Sequence, residues 1–296
     1  MKDFVIFADS TCDLGADLRE KYHIDYVAMN YVIDGKEYPA SLDWEVHSPK
    51  EFYDKMRNGI RITTTQVPMP TMEAAFRKAA EDGKDVLYIA CSSALSGSYN
   101  AALVVAQELK KELPDTQILC VDSRISSLGQ GYLAIRAAEL RAEGKSIREV
   151  KEYLEANRLK VHQFATVATL DYLRRAVRVT ASSAFFGNIF GIKPLLISDA
   201  KGQNYAIKKA KGRKAAMQMV VDEAKLHCIA PEQQTVFISH ADAPEEAEAL
   251  KQELLKQLHC KDVYISYIGP IVGASVGPGT LGVYFVGDEV TIVGEA

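Results

Sequence analysis

Several sequence features that would identify a membrane or nucleic-acid-binding protein are missing from this chain of 296 residues. No apolar run is long enough to cross a bilayer, and the charged pair after Met1 does not fit a signal peptide. Lys and Arg number 35 against 39 Asp and Glu, so the basic excess that nucleic acid binding requires is absent. We therefore expect a cytoplasmic protein that binds no nucleic acid and meets a membrane at most transiently.

Cysteine is scarce, and its spacing excludes two classes of small domain. The five cysteines are odd in number, widely separated and never arranged as Cys-x-x-Cys. This argues against a disulfide framework and against a zinc knuckle, and it fits a reducing compartment. The sequence therefore predicts neither a metal nor a cofactor.

Motifs of common enzymes are also missing. There is no Gly-x-x-x-x-Gly-Lys-Ser/Thr loop for a nucleotide and no Gly-x-Ser-x-Gly elbow for a nucleophilic serine. None of the six histidines lies in a motif that pairs it with Ser10 or Ser96, and His240-Ala241-Asp242 is the only suggestive combination. A serine-dependent hydrolase or a phosphate-processing enzyme remains the alternative function.

A hydroxyl-rich turn is the first informative feature that is present. Val86 to Ala90 is an apolar run that predicts a buried strand, and helical periodicity begins at Ser98. The loop between them would offer backbone N–H groups, the positive end of a helix dipole and serine hydroxyls such as Ser96 to a carboxylate or phosphate. Gly97 would let a ligand approach the backbone closely. The alternative is that Ser96 or Ser98 only caps the helix.

A second turn of the same kind contains Thr63 to Gln66, ahead of Pro68 and a helix-like segment from Glu73 to Glu81. The prolines fix an irregular approach and a helix start. Three consecutive threonines are also typical of an extended, solvated segment, so the interpretation is open between a ligand site and a plain strand.

The order of elements predicts an α/β protein. Strand-like runs at Phe4–Ala8, Val86–Ala90 and Ile118–Val121 alternate with helix-like stretches, and polar residues follow each strand. Ligand sites in such sheets lie beyond the carboxyl ends of the strands, so the three ends are expected to share one crevice. Because the chain exceeds the usual size of a single core, we expect two domains, at 1–158 and 159–296, each with a mostly parallel sheet.

The second half contains two unusual segments. Ala184–Ile197 is too apolar for an exposed helix, which predicts a core helix of the second domain. Residues 268–282 are rich in glycine and proline and are expected to form a rigid loop, followed by two short strands at 283–293.

Taken together, these motifs resemble the DegV family of bacterial fatty-acid-binding proteins, whose members include the binding subunits of the two-component fatty acid kinase. The likeness covers essentially the whole chain. It is carried by the ordered segments Phe7 to Leu14, Thr64 to Gln66, Ser92 to Tyr99, Val121 to Ser123, Ile192 to Leu196 and Gly269 to Gly279.

The resemblance implies a two-domain carrier, not an enzyme, that holds one long-chain fatty acid of the palmitate, stearate or oleate class between its domains. In the family's motifs the carboxylate is held at the positions of Thr64 and Ser96, beside Gly97. A fatty acid kinase subunit is the candidate partner. The resemblance is compatible with a buried tail pocket formed by the apolar segment's Phe185, Phe186, Ile189, Phe190 and Ile192.

The chain departs from the family pattern at two places. Ser275 stands where the family usually has a histidine that helps to hold the carboxylate, so Ser275 is the expected ligand residue there. A serine still donates a hydrogen bond, but it is shorter and cannot become cationic. The family's Gly-Gly-Arg-Ile stretch is Ala176 to Val179 here, in which Arg178 is retained.

Overall fold

The computed structural model describes residues 2–180 and 191–294. The N-terminal half contains seven described strands, which are β1 Phe4–Asp9, β2 Ile24–Val27, β3 Asn30–Ile33, β4 Lys36–Pro39, β5 Ile62–Thr65, β6 Asp85–Ala90 and β7 Ile118–Asp122. Its described helices are α1 Ala16–Tyr22, α2 Pro49–Arg57, α3 Met69–Glu81, α4 Ser98–Glu112, α5 Leu128–Ala142 and α6 Ile147–Asn157.

In the C-terminal half the described strands are β8 Val161–Thr166, β9 Ile192–Ser198, β10 Asn204–Lys211, β11 Thr235–His240, β12 Asp262–Tyr267 and β13 Leu281–Val286. The described helices are α7 Asp171–Ala176, α8 Arg213–His227, α9 Pro244–Leu258 and α10 Pro270–Val276. The α/β class is thereby confirmed. The boundary at 158/159 stays a prediction; β8, which opens the second large sheet, begins at Val161.

The first sheet has the order β2-β1-β6-β7 and is parallel throughout, as predicted for this half. Its central strand β6 is buried at every position, because helices cover both faces. Alternate residues serve the two faces: Val86 and Tyr88 pack into one core cluster with α3 and α4, whereas Leu87 and Ile89 pack into another with α5 and α6. The alternation thus builds two hydrophobic layers from one strand.

The second large sheet, with the order β10-β9-β8-β13-β11-β12, corrects the prediction of a mostly parallel sheet. Only β11 and β12 pair in parallel; the other four pairings are antiparallel. The physical reason lies in the connections. Strands β9 and β10 are joined by a short turn around Gly202, which permits only a hairpin, and β13 returns antiparallel between β8 and β11.

A small antiparallel sheet in the order β4-β3-β5 was not predicted. It contains Thr63, Thr64 and Thr65 in its edge strand β5, so the threonines form a strand and not a turn. Here the alternative interpretation of the threonines is the correct one for the backbone. Strand β5 nevertheless runs directly into Gln66 and Pro68, ahead of α3, as expected.

Three predictions for the C-terminal half need correction. Residues 270–276 form the helix α10 where a rigid loop was predicted, and only one strand, β13, is described where two short strands were expected. The segment predicted as a core helix contains β9, in which Ile192–Ser198 pairs with β10, so this part is a strand. Phe185, Phe186, Ile189 and Phe190 lie outside the described residues.

Candidate functional site

A cavity of about 210 Å³ lies between the two halves of the chain. Thr64, Ser96, Gly97 and Ser275, the four residues predicted to hold a carboxylate, all belong to its wall. Thr64 and Ser275 are more than 200 residues apart in the sequence. Nevertheless β5, the loop before α4 and helix α10 bring all four residues to one space. Their role toward a ligand stays a prediction.

The ends of three parallel strands form one side of this region, as predicted from the strand order. The carboxylate of Asp9, at the end of β1, accepts a hydrogen bond from the Cys91 backbone N–H at 2.8 Å. The Asp122 carboxylate, at the end of β7, accepts hydrogen bonds from the Ser93 N–H at 3.0 Å and the Ser93 hydroxyl at 2.6 Å. These two carboxylates therefore fix the loop that presents Ser96.

A direct hydrogen bond joins the segment that follows the threonine strand to the first residue of α4. The buried Ser98 hydroxyl accepts from the Val67 N–H at 3.2 Å and from the Ser96 hydroxyl at 3.1 Å. The Ser96 oxygen also accepts from the Ser98 N–H at 3.2 Å. Ser96 thus has a local partner, and its hydroxyl hydrogen reaches a ligand only when it rotates away from the Ser98 oxygen.

The immediate neighbour of Gly97 is a protein side chain, where the sequence predicted a ligand. A Cβ atom at this position would lie 2.1 Å from Oε1 of Gln66, so the missing side chain makes room for the amide of the residue that follows β5. The close approach that glycine permits is therefore used by the protein itself in this structure. Gln66 also lines the cavity and brings an amide donor to the site.

Ser275 is carried by α10, whose position depends on two glycines. A Cβ atom on Gly273 would meet the Tyr53 hydroxyl at 2.4 Å, and this hydroxyl donates to the Ile268 carbonyl at 2.6 Å. At Gly277 the helix ends with φ +80°, a conformation that favours glycine. The glycine-rich composition thus serves a tightly packed helix that presents Ser275 to the cavity.

A buried acid from the N-terminal half holds the start of α10. The Asp13 carboxylate accepts hydrogen bonds from the Gly269 N–H at 2.9 Å and from the Ser127 hydroxyl at 2.6 Å. Burial raises the pKa of Asp13 to about 7, although both hydrogen bonds act in the opposite direction. The helix with Ser275 is therefore tied to the first half through a titratable group.

Among the wall residues of the described part of the chain, Arg178 is the one cation. Arg178 lines the cavity, and its carbonyl accepts a hydrogen bond from the Asn204 side chain at 3.0 Å. The Gln163 amide in turn donates to Asn204 at 3.0 Å. The sequence retained Arg178 but left its direction open, because its surroundings come from distant strands.

Much of the remaining wall is apolar, and sequence reasoning did not identify it. Ile192 was predicted to line a tail pocket but is not part of this wall: it lies beyond the residues of β9 that pair with β8, which are Leu195 and Leu196. The aliphatic residues of the wall are Met29, Leu95, Ala165, Val167, Leu173, Leu196, Ile268, Ile271, Val272 and Val276. The apolar positions of α10 were the available signal, hidden among glycines and prolines.

The wall of the cavity bears on the alternative function, in which a nucleophilic serine needs a general base as its partner. In the described part of the chain, the wall contains no histidine, aspartate or glutamate that could act as a general base toward Ser96. Burial raises the pKa of the Cys91 thiol and raises that of Tyr284 to about 12, which keeps both side chains neutral. The Ser10 hydroxyl is buried and accepts from the Met29 N–H at 2.9 Å.

The His240-Ala241-Asp242 combination is likewise engaged elsewhere. His240 accepts a hydrogen bond from the Ala243 N–H through Nδ1 at 3.2 Å, and burial lowers its pKa to about 4. Asp242 pairs with Arg57 at 2.6 Å. These contacts do not connect either residue to Ser10 or Ser96.

A second cavity of about 200 Å³ adjoins the first, and the two share Thr64, Arg178 and Ser275. Arg61 and Arg175 complete a cationic wall around it. The guanidinium of Arg175 lies over the ring of Tyr172, 4.7 Å from its centroid, which restricts its direction. The hydroxyl groups of the first cavity thus border a space with positive charge.

Comparison with known proteins agrees with this architecture. A family model described as "Uncharacterised protein, DegV family" matches residues 3–288. A DegV domain-containing protein of Clostridium perfringens is 40% identical over 97% of this chain and 99% of its own length. One of Streptococcus pyogenes is 34% identical over 97% of this chain and 99% of its own length.

Solved structures show the same fold. A DegV family protein from Thermus thermophilus, described as binding fatty acid, has a TM-score of 0.87 and 29% identity, covering 97% of this chain and 100% of its own. DegV from Bacillus subtilis, a fatty acid binding protein, has a TM-score of 0.82 and 26% identity, with coverage of 97% and 100%. On the family match and the identity to these relatives, the chain belongs to the DegV family.

Proposed function

We propose that this protein binds one long-chain fatty acid in the cavity between its halves, as a carrier and not as an enzyme. The observation that carries the proposal is the composition of the wall, in which Thr64, Ser96, Ser275 and Arg178 stand together with ten aliphatic side chains. The fatty acid binding of the Thermus thermophilus and Bacillus subtilis relatives supports it.

Both parts of a fatty acid find suitable partners in this wall. The carboxylate accepts hydrogen bonds from Thr64 and Ser96, next to Gly97 and the Gln66 amide packed against it, and Ser275 and Arg178 add further donors. Each hydrogen bond to a charged acceptor contributes about 1.5–3 kcal/mol. Burial of a tail of about 14 methylenes contributes roughly 11 kcal/mol before the costs of ordering the chain are subtracted. The tail therefore provides affinity and the head-group residues provide orientation.

Paired substitutions in the head-group residues test the proposal. Thr64→Val combined with Ser96→Ala removes two donors and should weaken binding of a fluorescent long-chain fatty acid about a hundredfold, measured by titration. Thr63→Val is the matched control, because Thr63 precedes Thr64 on the same strand and is not part of this wall. Equal affinities of the double variant and the control would refute the assigned head-group residues.

We further propose that the carrier presents the carboxylate to a fatty acid kinase subunit. The adjoining cavity supports this, since its arginines Arg61, Arg175 and Arg178 favour an incoming phosphoryl group. Mixing the loaded protein with a fatty acid kinase subunit and ATP should produce acyl phosphate. A loaded protein that yields none with a kinase subunit active on another carrier would contradict the partner assignment.

A further inference from the structure

A cluster of two histidines and one aspartate lies away from the fatty acid cavity, in the C-terminal half. His162 belongs to β8, His227 ends α8, and Asp288 follows β13. One donor atom from each of the three lies within 4.8 Å of the other two. This cluster could not be predicted from sequence spacing, because 126 residues separate His162 from Asp288.

Two of the three separations between donor atoms are close to those around a coordinated ion, and the two imidazole rings are stacked with centroids 5.2 Å apart. Asp288 Oδ1 is 3.1 Å from His162 Nε2 and 3.0 Å from His227 Nδ1. Ligand bonds of about 2.0–2.2 Å in a tetrahedral zinc site place neighbouring donor atoms about 3.3 Å apart. The carboxylate therefore needs to move only by tenths of an ångström to share an ion with either imidazole.

A glycine and a backbone hydrogen bond hold the segment that carries Asp288 close to the two histidines. Gly287 allows the close approach, since a Cβ atom there would lie 2.4 Å from the His227 carbonyl and 2.8 Å from Cδ2 of His162. The Gly287 N–H donates to the Lys160 carbonyl at 2.9 Å. His162 also stands opposite Phe285 in the register of β8 with β13. Such an arrangement lowers the cost of ordering the ligands.

The surroundings favour a cation. His227 lies in the last turn of the 15-residue helix α8, where the helix dipole is negative. The buried carboxylate of Glu223 lies 3.7 Å from Nε2 of His227, on the side of the ring opposite to Asp288. This distance is too long for a hydrogen bond, but the negative charge of Glu223 favours a cation bound to His227. Lys208, the nearby cation, is paired with Glu223.

The ring of His162 makes a hydrogen bond that binding of an ion would have to replace. Nε2 of His162 lies 2.7 Å from the Asp288 carbonyl oxygen, so this nitrogen carries the hydrogen there. Binding of an ion requires that this hydrogen move to Nδ1, while the Asp288 carbonyl turns from acceptor to neighbouring oxygen ligand or moves aside. A neighbouring cavity of about 280 Å³, lined by all three residues, leaves room for water at a fourth position.

We propose that His162, His227 and Asp288 bind one divalent first-row transition metal ion, for which Zn²⁺ is the probe. Two imidazole nitrogens with one carboxylate oxygen suit Zn²⁺ better than they suit Mg²⁺ or Ca²⁺, because those two ions prefer oxygen ligands. The ion would join β8, α8 and the segment after β13. None of these three residues belongs to the wall of the fatty acid cavity, although Gln163 lines both that cavity and the one beside the cluster.

The test measures Zn²⁺ on the full chain after chelation and dialysis, by metal analysis and by calorimetric titration. We expect one ion per chain, and affinity at least about tenfold weaker in His227→Gln and in Asp288→Asn. Both side chains are partly exposed, so these variants are expected to fold, which circular dichroism verifies. Absence of a stoichiometric ion in the unaltered chain, or unchanged affinity in either variant, overturns the proposal.

Two control variants separate this site from other donors. His259→Asn removes an exposed imidazole at φ +54°, a conformation that asparagine tolerates, and should leave Zn²⁺ binding unchanged. Cys228→Ser removes the thiol next to His227 and should also leave it unchanged. Loss of the ion in Cys228→Ser, or a sulfur charge-transfer band with Co²⁺ in place of Zn²⁺, would assign the ion to thiolate and refute the proposed ligand set.

Discussion

The cavity between the halves and the cavity beside His227 share a strand but differ in chemistry. Ala165 of β8 belongs only to the wall of the first, whereas His162 and Phe164 belong only to that of the second. Hydroxyls, a guanidinium and aliphatic side chains line the first. The second also has aliphatic side chains and Lys208, but it adds two histidines and three carboxylates. The alternation of side chains along one strand thus supports a site for an anion with a long apolar tail and a site for a cation.

The largest effect is expected from a substitution that blocks the first cavity and leaves the second unchanged. Val272 is half-buried in α10 and lines only the first cavity. Val272→Trp should exclude about four methylenes of the ligand and weaken fatty acid binding roughly a hundredfold. Leu103→Trp, on an exposed face of α4, is the control. Titration with a fluorescent fatty acid measures the first site and Zn²⁺ binding the second; loss of both would show that the sites are coupled.

A smaller effect is expected from the one cation in the first wall. Arg178→Met removes the positive charge while keeping an unbranched apolar side chain. Affinity for the fatty acid should fall about tenfold, because a hydrogen bond to a charged group contributes about 1.5–3 kcal/mol. Affinity for the corresponding fatty alcohol should change little, which provides the internal control. Equal losses for acid and alcohol would mean that Arg178 shapes the wall without acting on the carboxylate.

The smallest effect concerns the contact that holds α10 at the first cavity. Because the pKa of Asp13 is raised to about 7 in the folded state from 3.8, the folded protein keeps this proton longer than the unfolded chain does. The contribution of Asp13 to stability therefore declines as pH rises from about 4 to about 7. Asp13→Asn removes this decline.

Urea unfolding of both proteins at about pH 5 and about pH 8 measures how the contribution of Asp13 to stability depends on pH. The free energy of unfolding of Asp13→Asn minus that of the unaltered protein should be larger at about pH 8 than at about pH 5, because the unaltered protein loses the contribution of the Asp13 proton as pH rises. Other titrating groups cancel in this difference because both proteins contain them. The same difference at both pH values would place the Asp13 proton outside the folding equilibrium.

The sequence predicted correctly those helices and strands that are specified by the residues within the element itself. The apolar run at Val86–Ala90 and the periodicity from Ser98 gave β6 and α4, since a buried strand and an amphipathic helix each leave a period in the sequence. The resemblance to the DegV family supplied Thr64, Ser96 and Ser275, which share one wall. Their common location could not follow from spacing alone.

The sequence did not predict structural features that depend on contacts between residues far apart in the chain. The antiparallel pairing of β13 between β8 and β11 depends on where the chain returns, and α10 forms among glycines because Tyr53 and Tyr172 occupy the space that side chains would need. Met29 enters the cavity wall from the unpredicted small-sheet region. Such positions are set by tertiary packing, which overrides local preference.

Two buried clusters cross the boundary predicted at 158/159. Ile268, Ile271 and Ala274 pack with N-terminal residues in one cluster, and Phe237 and Tyr284 do so in the other. A fragment ending at residue 158 would expose the partners of these side chains to water, so neither half is expected to be stable when expressed alone. Unfolding of the intact chain should accordingly be one cooperative transition, and the two domains describe its architecture rather than separate units of folding.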